Sequence, residues 1–435
     1  MITNFKLIKS VNLAYSSLVI FLMIFGRNFT GIYIFGYRIG ELLVGLLFVT
    51  SFLILINYLR DIENFKNYYF IIFFIILLFF FFSLFINKGG LLDTYTYKSS
   101  SYIWTLNVLF IVLLIDIRKY LINTKILFVL PIVYFLNAIY YPDFLYNFFN
   151  TYSDKFDFQK ASDIFLVFVV SNLICRELYK NKVQPVIYLF ISFAVLNPLF
   201  LFMSKGSFFP SVLFFLFSLF IYRKEIIQNY GKVALTVILS ALIFVISTYE
   251  VYGNLTFDKD GRSAGEDNLI SVETFQDNYI SISENKNTME IFASLYIVNN
   301  RIFSTENLLN WRLQIWQDVI YDQIKSKKFL FGYGYNEIIP AMDTPDRRGF
   351  DGTNEHVHNY FINIFARGGF AQIFLFLSLY ILILKNNKFS ILSFLYLISL
   401  FLVSSFDPSM ETVRFPIIFF TYLSLFFMKK DNTYI

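Results

Sequence analysis

The sequence predicts an all-α fold: a polytopic membrane helix bundle of about 12 transmembrane helices, with a large extracytoplasmic loop between helices 9 and 10. Hydrophobic residues make up 57% of the chain and charged residues only 15%, whereas about a quarter of the residues in soluble domains are charged. Apolar runs long enough to cross a bilayer recur along the chain, and one long polar stretch interrupts them. Lys and Arg are concentrated in alternate connections, as in a multi-pass membrane protein.

The apolar runs define the predicted elements, since a spanning helix needs roughly 17–25 mostly apolar residues. The predicted spans are 11–25, 39–59, 68–86, 102–117, 124–141, 163–179, 185–203, 207–222, 232–251, 359–384, 389–406 and 415–428. The chain therefore divides into three parts: 1–251 with transmembrane helices 1–9, 252–357 as a periplasmic loop with amphipathic helices, and 358–435 with helices 10–12.

The positions of Lys and Arg orient these spans. With a cytoplasmic N-terminus, the inner connections and termini contain 17 basic residues and the short outer connections contain eight. Basic residues are enriched on the cytoplasmic side, so both termini are expected inside and 252–357 outside. That loop contains sixteen acidic and ten basic residues, a net charge of −6, which argues against nucleic acid as a partner.

Two amphipathic helices are predicted in the loop. The first covers 288–301, where Met289, Phe292, Leu295 and Tyr296 recur at helical spacing. The second runs from about Asn310 to Lys325, and the glycines of Phe331–Tyr335 are expected to end it because glycine adopts the left-handed conformation of a helix stop. Its apolar residues share one face: Leu313, Trp316, Ile320 and Ile324.

The sequence contains two histidines, His356 and His358, and both lie where the polar loop meets span 10. They could be loop residues satisfied by their neighbours. They could instead bind a metal together with Asp351 or Glu355, although no third ligand has convincing spacing. The third interpretation is a general base, which needs one imidazole with a pKa near neutrality. The position of His358 at the start of the span favours this residue as the general base. No metal or cofactor is predicted.

Arg312 precedes Trp316 by four residues, so both lie on neighbouring turns of one helix face. The pair could be an interfacial tryptophan with an arginine stacked on it. A guanidinium at the outer membrane surface is also suited to binding a phosphate through two hydrogen bonds.

Other charged residues near the outer surface have two interpretations each. Lys205 occupies a tight turn beside serines, so it is either a snorkelling interfacial residue or a phosphate-binding charge. Arg367 lies within span 10, where a charge is costly unless it faces the bundle or a cavity. Asp407, Glu411 and Arg414 are expected to form a solvated loop with local ion pairs.

Two segments together resemble the O-antigen ligase and O-antigen polymerase superfamily of bacterial polysaccharide assembly. Asn310–Trp316, followed by Phe331–Gly334, is similar to the family's Arg-x-x-x-Trp helix and Gly-x-Gly. His356–Phe361, followed by Gly368–Gly369, is similar to its His-Asn motif and downstream glycine. The family often has Ser-Arg where this chain has Ser204 and Lys205. Both Lys205 and Arg262 therefore remain eligible as a second phosphate-binding cation.

The resemblance implies metal-independent glycosyl transfer at the outer face of the bacterial cytoplasmic (inner) membrane. The implied donor is a glycan on polyprenyl pyrophosphate, with Arg312 neutralising the leaving group and His358 taking the proton of the acceptor hydroxyl. Substrate contacts are implied for Lys205, Arg262, His356, Asn359, Trp316 and Arg367.

Two acceptors are open under this resemblance. In a polymerase the acceptor is another lipid-linked glycan repeat, and in a ligase it is lipid A–core or, in some relatives, a protein hydroxyl. The implied partners are the lipid bilayer, a flippase and a chain-length regulator. The alternative function is a lipid-linked oligosaccharide flippase or another polytopic transporter.

Overall fold

The computed structural model describes residues 2–60, 68–91, 93–115, 117–122, 125–155, 159–255, 288–292, 294–344, 347 and 355–428. The chain forms two compact units. Unit 1 consists of Met1–Phe74, Ser100–Arg262 and Ser378–Ile435. Unit 2 consists of Ile75–Ser99 and Ser263–Leu377.

Helices dominate the described chain. The elements of the first half are α1 (Ile2–Phe25), α2 (Arg27–Thr30), β1 (Tyr33–Ile34), β2 (Tyr37–Arg38), α3 (Ile39–Arg60), α4 (Tyr68–Ile86), α5 (Thr94–Ser99), α6 (Ser101–Thr105), α7 (Val108–Leu114), α8 (Arg118–Ile122), a 3₁₀ turn (Lys125–Phe128), α9 (Leu130–Ile139), α10 (Asp143–Tyr152), α11 (Ala161–Leu178) and α12 (Gln184–Met203). The second half contains α13 (Lys205–Ile221), α14 (Arg223–Gln228), α15 (Tyr230–Tyr252), β3 (Thr288–Phe292), β4 (Leu295–Val298), β5 (Arg301–Ser304), α16 (Asn307–Lys325), a 3₁₀ turn (Pro340–Met342), α17 (Tyr360–Asn386), α18 (Ile391–Ser404), a 3₁₀ turn (Pro408–Glu411) and α19 (Arg414–Phe427).

The predicted helical membrane fold is confirmed in its coarse form. Within the described ranges, five helices are long and apolar enough to cross a bilayer: Ile39–Ile56 within α3, then α4, α12, α15 and α17. Shorter apolar helices lie in most of the other predicted spans. The total of about 12 spans and the extent of the outer loop stay predictions.

The predicted span at 102–117 is interrupted. α6 ends at Thr105 and α7 begins at Val108. Between them the buried Asn107 side chain donates hydrogen bonds to the Leu47 carbonyl, at 3.1 Å, and to Thr50 Oγ1, at 2.7 Å. Hydropathy alone does not locate such a break, because the flanking residues are apolar on both sides.

The predicted helix at 288–301 is wrong, because this segment forms the antiparallel sheet β3-β4-β5 with the residues that follow it. Asn299 and Asn300 have φ values of 51° and 63°. Two left-handed residues make the tight turn that joins hairpin strands, here between Val298 and Arg301. Asparagine tolerates this conformation better than most residues. The apolar pattern is compatible with the spacing of a helix and with that of a strand. The Asn-Asn turn favours the strand.

Helix α16 confirms the second predicted loop helix and its end, but the left-handed residue after that end and the buried face differ from the prediction. The helix stops at Lys325, and Lys327 adopts the left-handed conformation, with φ of 59°. Ile315, Val319 and Gln323 are fully buried, whereas 59% of Ile324 is exposed. The buried face is therefore rotated away from the apolar stripe, because contacts with other segments of unit 2 determine which residues are covered.

Side-chain hydrogen bonds attach β5 to α16. Gln317 Nε2 donates to the Ile302 carbonyl at 2.7 Å, and Gln317 Oε1 accepts from the Ile302 amide at the same distance. Arg301 forms an ion pair with Asp318 at 2.7 Å, and Arg347 contacts the other carboxylate oxygen. These bonds give backbone groups of the edge strand β5 hydrogen-bonding partners. They also hold the hairpin against α16, the helix that contains Arg312.

The expected solvated cluster around Arg414 is also wrong. Arg414 is 1% exposed, and its guanidinium lies 2.5 Å from Asp163 of α11. It also donates to the Leu22 carbonyl at 2.6 Å and to Tyr134 at 2.7 Å. A buried arginine needs such partners to offset its desolvation. Its acidic partner lies on a helix far away in the sequence, so local charge patterning does not identify it.

Candidate active site

The segment that contains both histidines leads directly into α17. Asn359 is buried, and its Oδ1 accepts hydrogen bonds from the Phe361 and Ile362 amides, at 3.0 and 3.1 Å. These bonds cap the start of the helix by occupying amides that have no partner within it. His358, immediately before this cap, has a left-handed backbone with φ of 53°. The backbone of His358 is therefore held in an uncommon conformation at a fixed helix start.

Two tryptophans of α16 contact this segment. The Trp316 indole donates a hydrogen bond to the Val357 carbonyl at 2.8 Å. The Trp311 ring lies edge-on to the His358 imidazole, with centroids 5.2 Å apart and planes at 66°. One helix thus holds the backbone before His358 and the ring itself. Sequence reasoning missed Trp311, because its only signal is that it directly precedes Arg312.

Arg312 is half-buried and lies on α16 between these tryptophans in sequence. Arg312 follows Trp311, whose ring contacts the His358 imidazole, and it lies one helical turn before Trp316. The structure thus brings His358, Trp311 and Trp316 together and places Arg312 on the helix that joins them.

His356 is half-buried and lies beside a second contact of the segment. Its neighbour Glu355 pairs with Lys98 of α5 at 2.9 Å. In the sequence Lys98 is only an outer-loop charge, because its acidic partner is 257 residues away. Asp351, the other metal ligand considered, lies outside the described residues. Among those that are described, no three His, Cys, Asp or Glu side chains form a potential metal site.

Helix α17 is broken within unit 2, beyond the histidine segment. Gly369 has φ of 65° and ψ of −166°, a backbone conformation that is not helical. The break leaves carbonyls on its N-terminal side without helical partners, and unit 2 supplies donors for them. The buried Gln323 side chain donates to Phe365 and Ala366, at 2.9 and 3.1 Å. The Tyr333 and Gly334 amides donate to Ala366 and Arg367, at 2.8 and 2.9 Å.

The amides beyond the break are satisfied by the same loop. Phe370 donates to the Phe329 carbonyl at 2.8 Å, and Ala371 donates to Leu330 at 3.1 Å. In an apolar environment each unsatisfied backbone group costs several kcal/mol. A Cβ on Gly332 would lie 2.4 Å from the Arg367 carbonyl oxygen, and one on Gly369 would lie 2.4 Å from Leu330 backbone atoms. The two glycine segments that support the resemblance therefore permit the close approach of two backbones.

Arg367 connects this junction to α5. It is 3% exposed, and its guanidinium donates to the Glu337 carbonyl at 2.5 Å, to Gly334 at 3.3 Å and to the Tyr95 hydroxyl at 2.7 Å. The charge also lies 5.3 Å from the centre of the Tyr95 ring. These contacts explain how a charge is tolerated in α17. They use donor positions that the resemblance assigns to substrate.

Part of the chain matches a known protein family. Residues 188–377, less than half of the chain, match the model of a family described as O-antigen ligase. The predicted resemblance to the O-antigen ligase and polymerase superfamily is confirmed. The O-antigen ligase match includes α16, both glycine segments and the histidine segment. No curated protein and no solved structure matches the chain.

The second cation implied by the O-antigen ligase resemblance is a separate question. Lys205 is exposed at the start of α13 in unit 1. The preceding residue, Ser204, lines a cavity of about 420 Å³ together with Arg27, Lys160 and Asp407. Lys160 and Asp407 are 3.7 Å apart. The other candidate, Arg262, lies outside the described residues.

Proposed function

We propose that the chain is an integral membrane glycosyltransferase of the O-antigen ligase type, with His358 as the general base. It transfers or polymerises polyprenyl-pyrophosphate-linked glycan on the outer side of the cytoplasmic membrane. The observation that supports this most is the fixation of His358 by Trp311, by the Trp316 bond to Val357 and by the Asn359 cap. A general base must be within hydrogen-bonding reach of one particular proton, so restricting a single imidazole suits this role.

In the proposed reaction, an acceptor hydroxyl attacks the anomeric carbon of the donor glycan. The hydroxyl proton passes to the His358 imidazole as the new glycosidic bond forms. The bond between the anomeric carbon and the pyrophosphate oxygen breaks, and its electron pair leaves with the pyrophosphate. Arg312 stabilises the negative charge that grows on this leaving group, where a preorganised donor contributes most. The balance requires no oxidant, and no metal or cofactor is part of the proposal.

For three of the implied substrate residues, the contacts support a positioning role instead. Asn359 caps α17, Trp316 holds Val357, and Arg367 holds the loop after Gly334. We assign all three as positioning residues. His356 and one of Lys205 or Arg262 keep the proposed substrate contacts. The acceptor is another lipid-linked glycan or lipid A–core, and a flippase function is the alternative.

The two substitutions Arg312→Lys and Arg312→Ala test the proposed phosphate contact. We expect Arg312→Ala to lower the transfer rate by about 10²–10³-fold, as for other lost transition-state donors. Arg312→Lys should retain more activity, because it keeps the charge but loses the planar fork. The measurement is transfer from a purified lipid-pyrophosphate glycan. Lys325→Ala, at the other end of α16, is the matched control and should transfer normally. Equal activity of all three variants would exclude Arg312 from the reaction.

The proposed orientation predicts the behaviour of reporter fusions. A reporter that is active only in the cytoplasm should be active after Lys182 or Lys388 and silent when fused near Asn285. The reason is the excess of basic residues in the inner connections. Cytoplasmic activity at Asn285 would place the histidine segment on the wrong side of the membrane and contradict the proposed reaction.

A further inference from the structure

An exposed aromatic hairpin follows α2 in unit 1. Strands β1 and β2 pair Tyr33 with Arg38 and Ile34 with Tyr37. Phe35 and Gly36 form the turn, with φ values of 51° and 84°. The Phe35 side chain is 98% exposed and Tyr37 is 61% exposed. A phenylalanine at the tip of a tight turn has no role in a core, and glycine or asparagine would suit the left-handed position better.

A second exposed aromatic element consists of α10 and Tyr140, which lies in the connection between α9 and α10. Phe144 is 72% exposed and Tyr140 is 70% exposed. The opposite side of α10 is attached to α1, because Phe149 is buried with its ring 6.1 Å from Phe25. The helix therefore covers the protein with one side and presents aromatic rings on the other.

The two elements are joined to each other. Ile32, before the hairpin, forms an antiparallel bridge with Ser153, which follows α10. Ser153 Oγ donates to the Asn28 carbonyl at 2.7 Å. Arg38 at the end of the hairpin forms an ion pair with Asp154. We call the exposed rings of Tyr33, Phe35, Tyr37, Tyr140, Phe144 and Tyr146 the aromatic ledge.

Apolar stripes on the neighbouring helices lead to both parts of the aromatic ledge. Along α3, which begins directly after the hairpin, five apolar residues at helical spacing are 45–58% exposed: Leu42, Leu46, Val49, Leu53 and Ile56. Along α9, which ends just before Tyr140, the corresponding residues are Ile132, Leu136 and Ile139. The segment Ile39–Ile56 is itself a candidate membrane span, so the first stripe is suited to face lipid.

We propose that the aromatic ledge inserts into the headgroup region of one leaflet and sets the depth of unit 1 in the bilayer. Tyrosines at the ends of such apolar stripes match the aromatic belt found at membrane–water interfaces, and phenylalanine is typical of the apolar face of an interfacial helix. An amphipathic helix that lies in the interface buries its apolar side at the boundary between headgroups and acyl chains. The lipid surface is thus the partner of this ledge.

The single cysteine permits a clean test by spin labelling. Cys175 is buried, so Cys175→Ala provides the background, and Phe35→Cys and Phe144→Cys introduce labels in proteoliposomes. The controls are Leu46→Cys in the exposed apolar stripe of α3 and Lys327→Cys at an exposed position just after the end of α16. Collision rates with lipid-soluble oxygen and a water-soluble nickel complex give the depth of each label. We expect both ledge labels to lie between the two controls, at headgroup depth.

Two results would overturn the proposal. Nickel accessibility at both ledge sites equal to that at Lys327→Cys would place the ledge in water. Spin–spin broadening between labels at Phe35 would identify a second copy of the chain as the occupant instead of lipid. Because the two labels lie on different elements, one poorly folding variant does not remove the test. The readout requires no glycosyl transfer, so it is independent of the proposed function.

Discussion

Replacement of His358 by asparagine is expected to lower the rate of glycosyl transfer by about 10²–10⁴-fold, the usual contribution of a general base. Asparagine is the most informative substitution because residue 358 has a left-handed backbone, with φ of 53°, and asparagine tolerates that conformation. The variant therefore removes the imidazole with little added strain. Binding of the lipid-pyrophosphate donor should persist, since the proposed phosphate contact is Arg312.

His356→Ala is the matched control for this experiment. It removes the neighbouring imidazole, to which we assign a substrate contact and no proton transfer, and should lower transfer much less than His358→Asn. Transfer and donor binding are measured separately on correctly inserted protein. If His358→Asn transfers normally and His356→Ala does not, the assignment of the base is wrong. If both variants transfer normally, neither histidine is the base and the proposed mechanism fails.

Local patterns are sufficient to predict the elements with strong periodicity. The long apolar runs indicate helices α3, α4, α12, α15 and α17, all of which contain candidate membrane spans in the structure. The spacing of apolar residues also indicates α16. These features depend only on residues that lie a few positions apart, so a single sequence is sufficient to predict them.

The features that the sequence does not predict depend on contacts between residues that are far apart in the chain. His358 is a candidate from its position alone, but Trp311, which contacts its ring, becomes evident only when α16 and the histidine segment are placed together. Gln323 resembles an ordinary polar helix residue, yet it is buried and donates to two carbonyls of α17. The prediction for Arg414 fails for the same reason, because its partner Asp163 is on another helix.

Gly369→Ala is expected to destabilise the protein strongly, by more than about 4 kcal/mol, a size of effect that single substitutions rarely reach. Two causes add. The conformation of Gly369, with φ of 65° and ψ of −166°, lies in a region that essentially only glycine occupies. The new Cβ would also lie 2.4 Å from backbone atoms of Leu330, which no side-chain rotation can relieve.

Moving Leu330 away would break the junction that surrounds the broken helix. The Phe370 and Ala371 amides would lose their bonds to the 329–330 segment, and the loop that also binds Arg367 would have to shift. We therefore expect the loss of stability to be accompanied by loss of transfer, because α17 begins at the histidine segment. The measurement is the thermal unfolding of the purified variant in detergent, followed by size-exclusion chromatography.

Two other glycines separate the causes. Gly231 lies in α15 without a positive φ, and a Cβ added there would meet no atom within 4 Å. Gly231→Ala should therefore be neutral or slightly stabilising, since alanine is the better helix former. Gly36 also has open space but a φ of 84°, so Gly36→Ala should show the backbone strain alone, about 1–3 kcal/mol. Gly369→Ala should exceed both, and a melting temperature equal to that of Gly36→Ala would show that the contact with Leu330 contributes nothing.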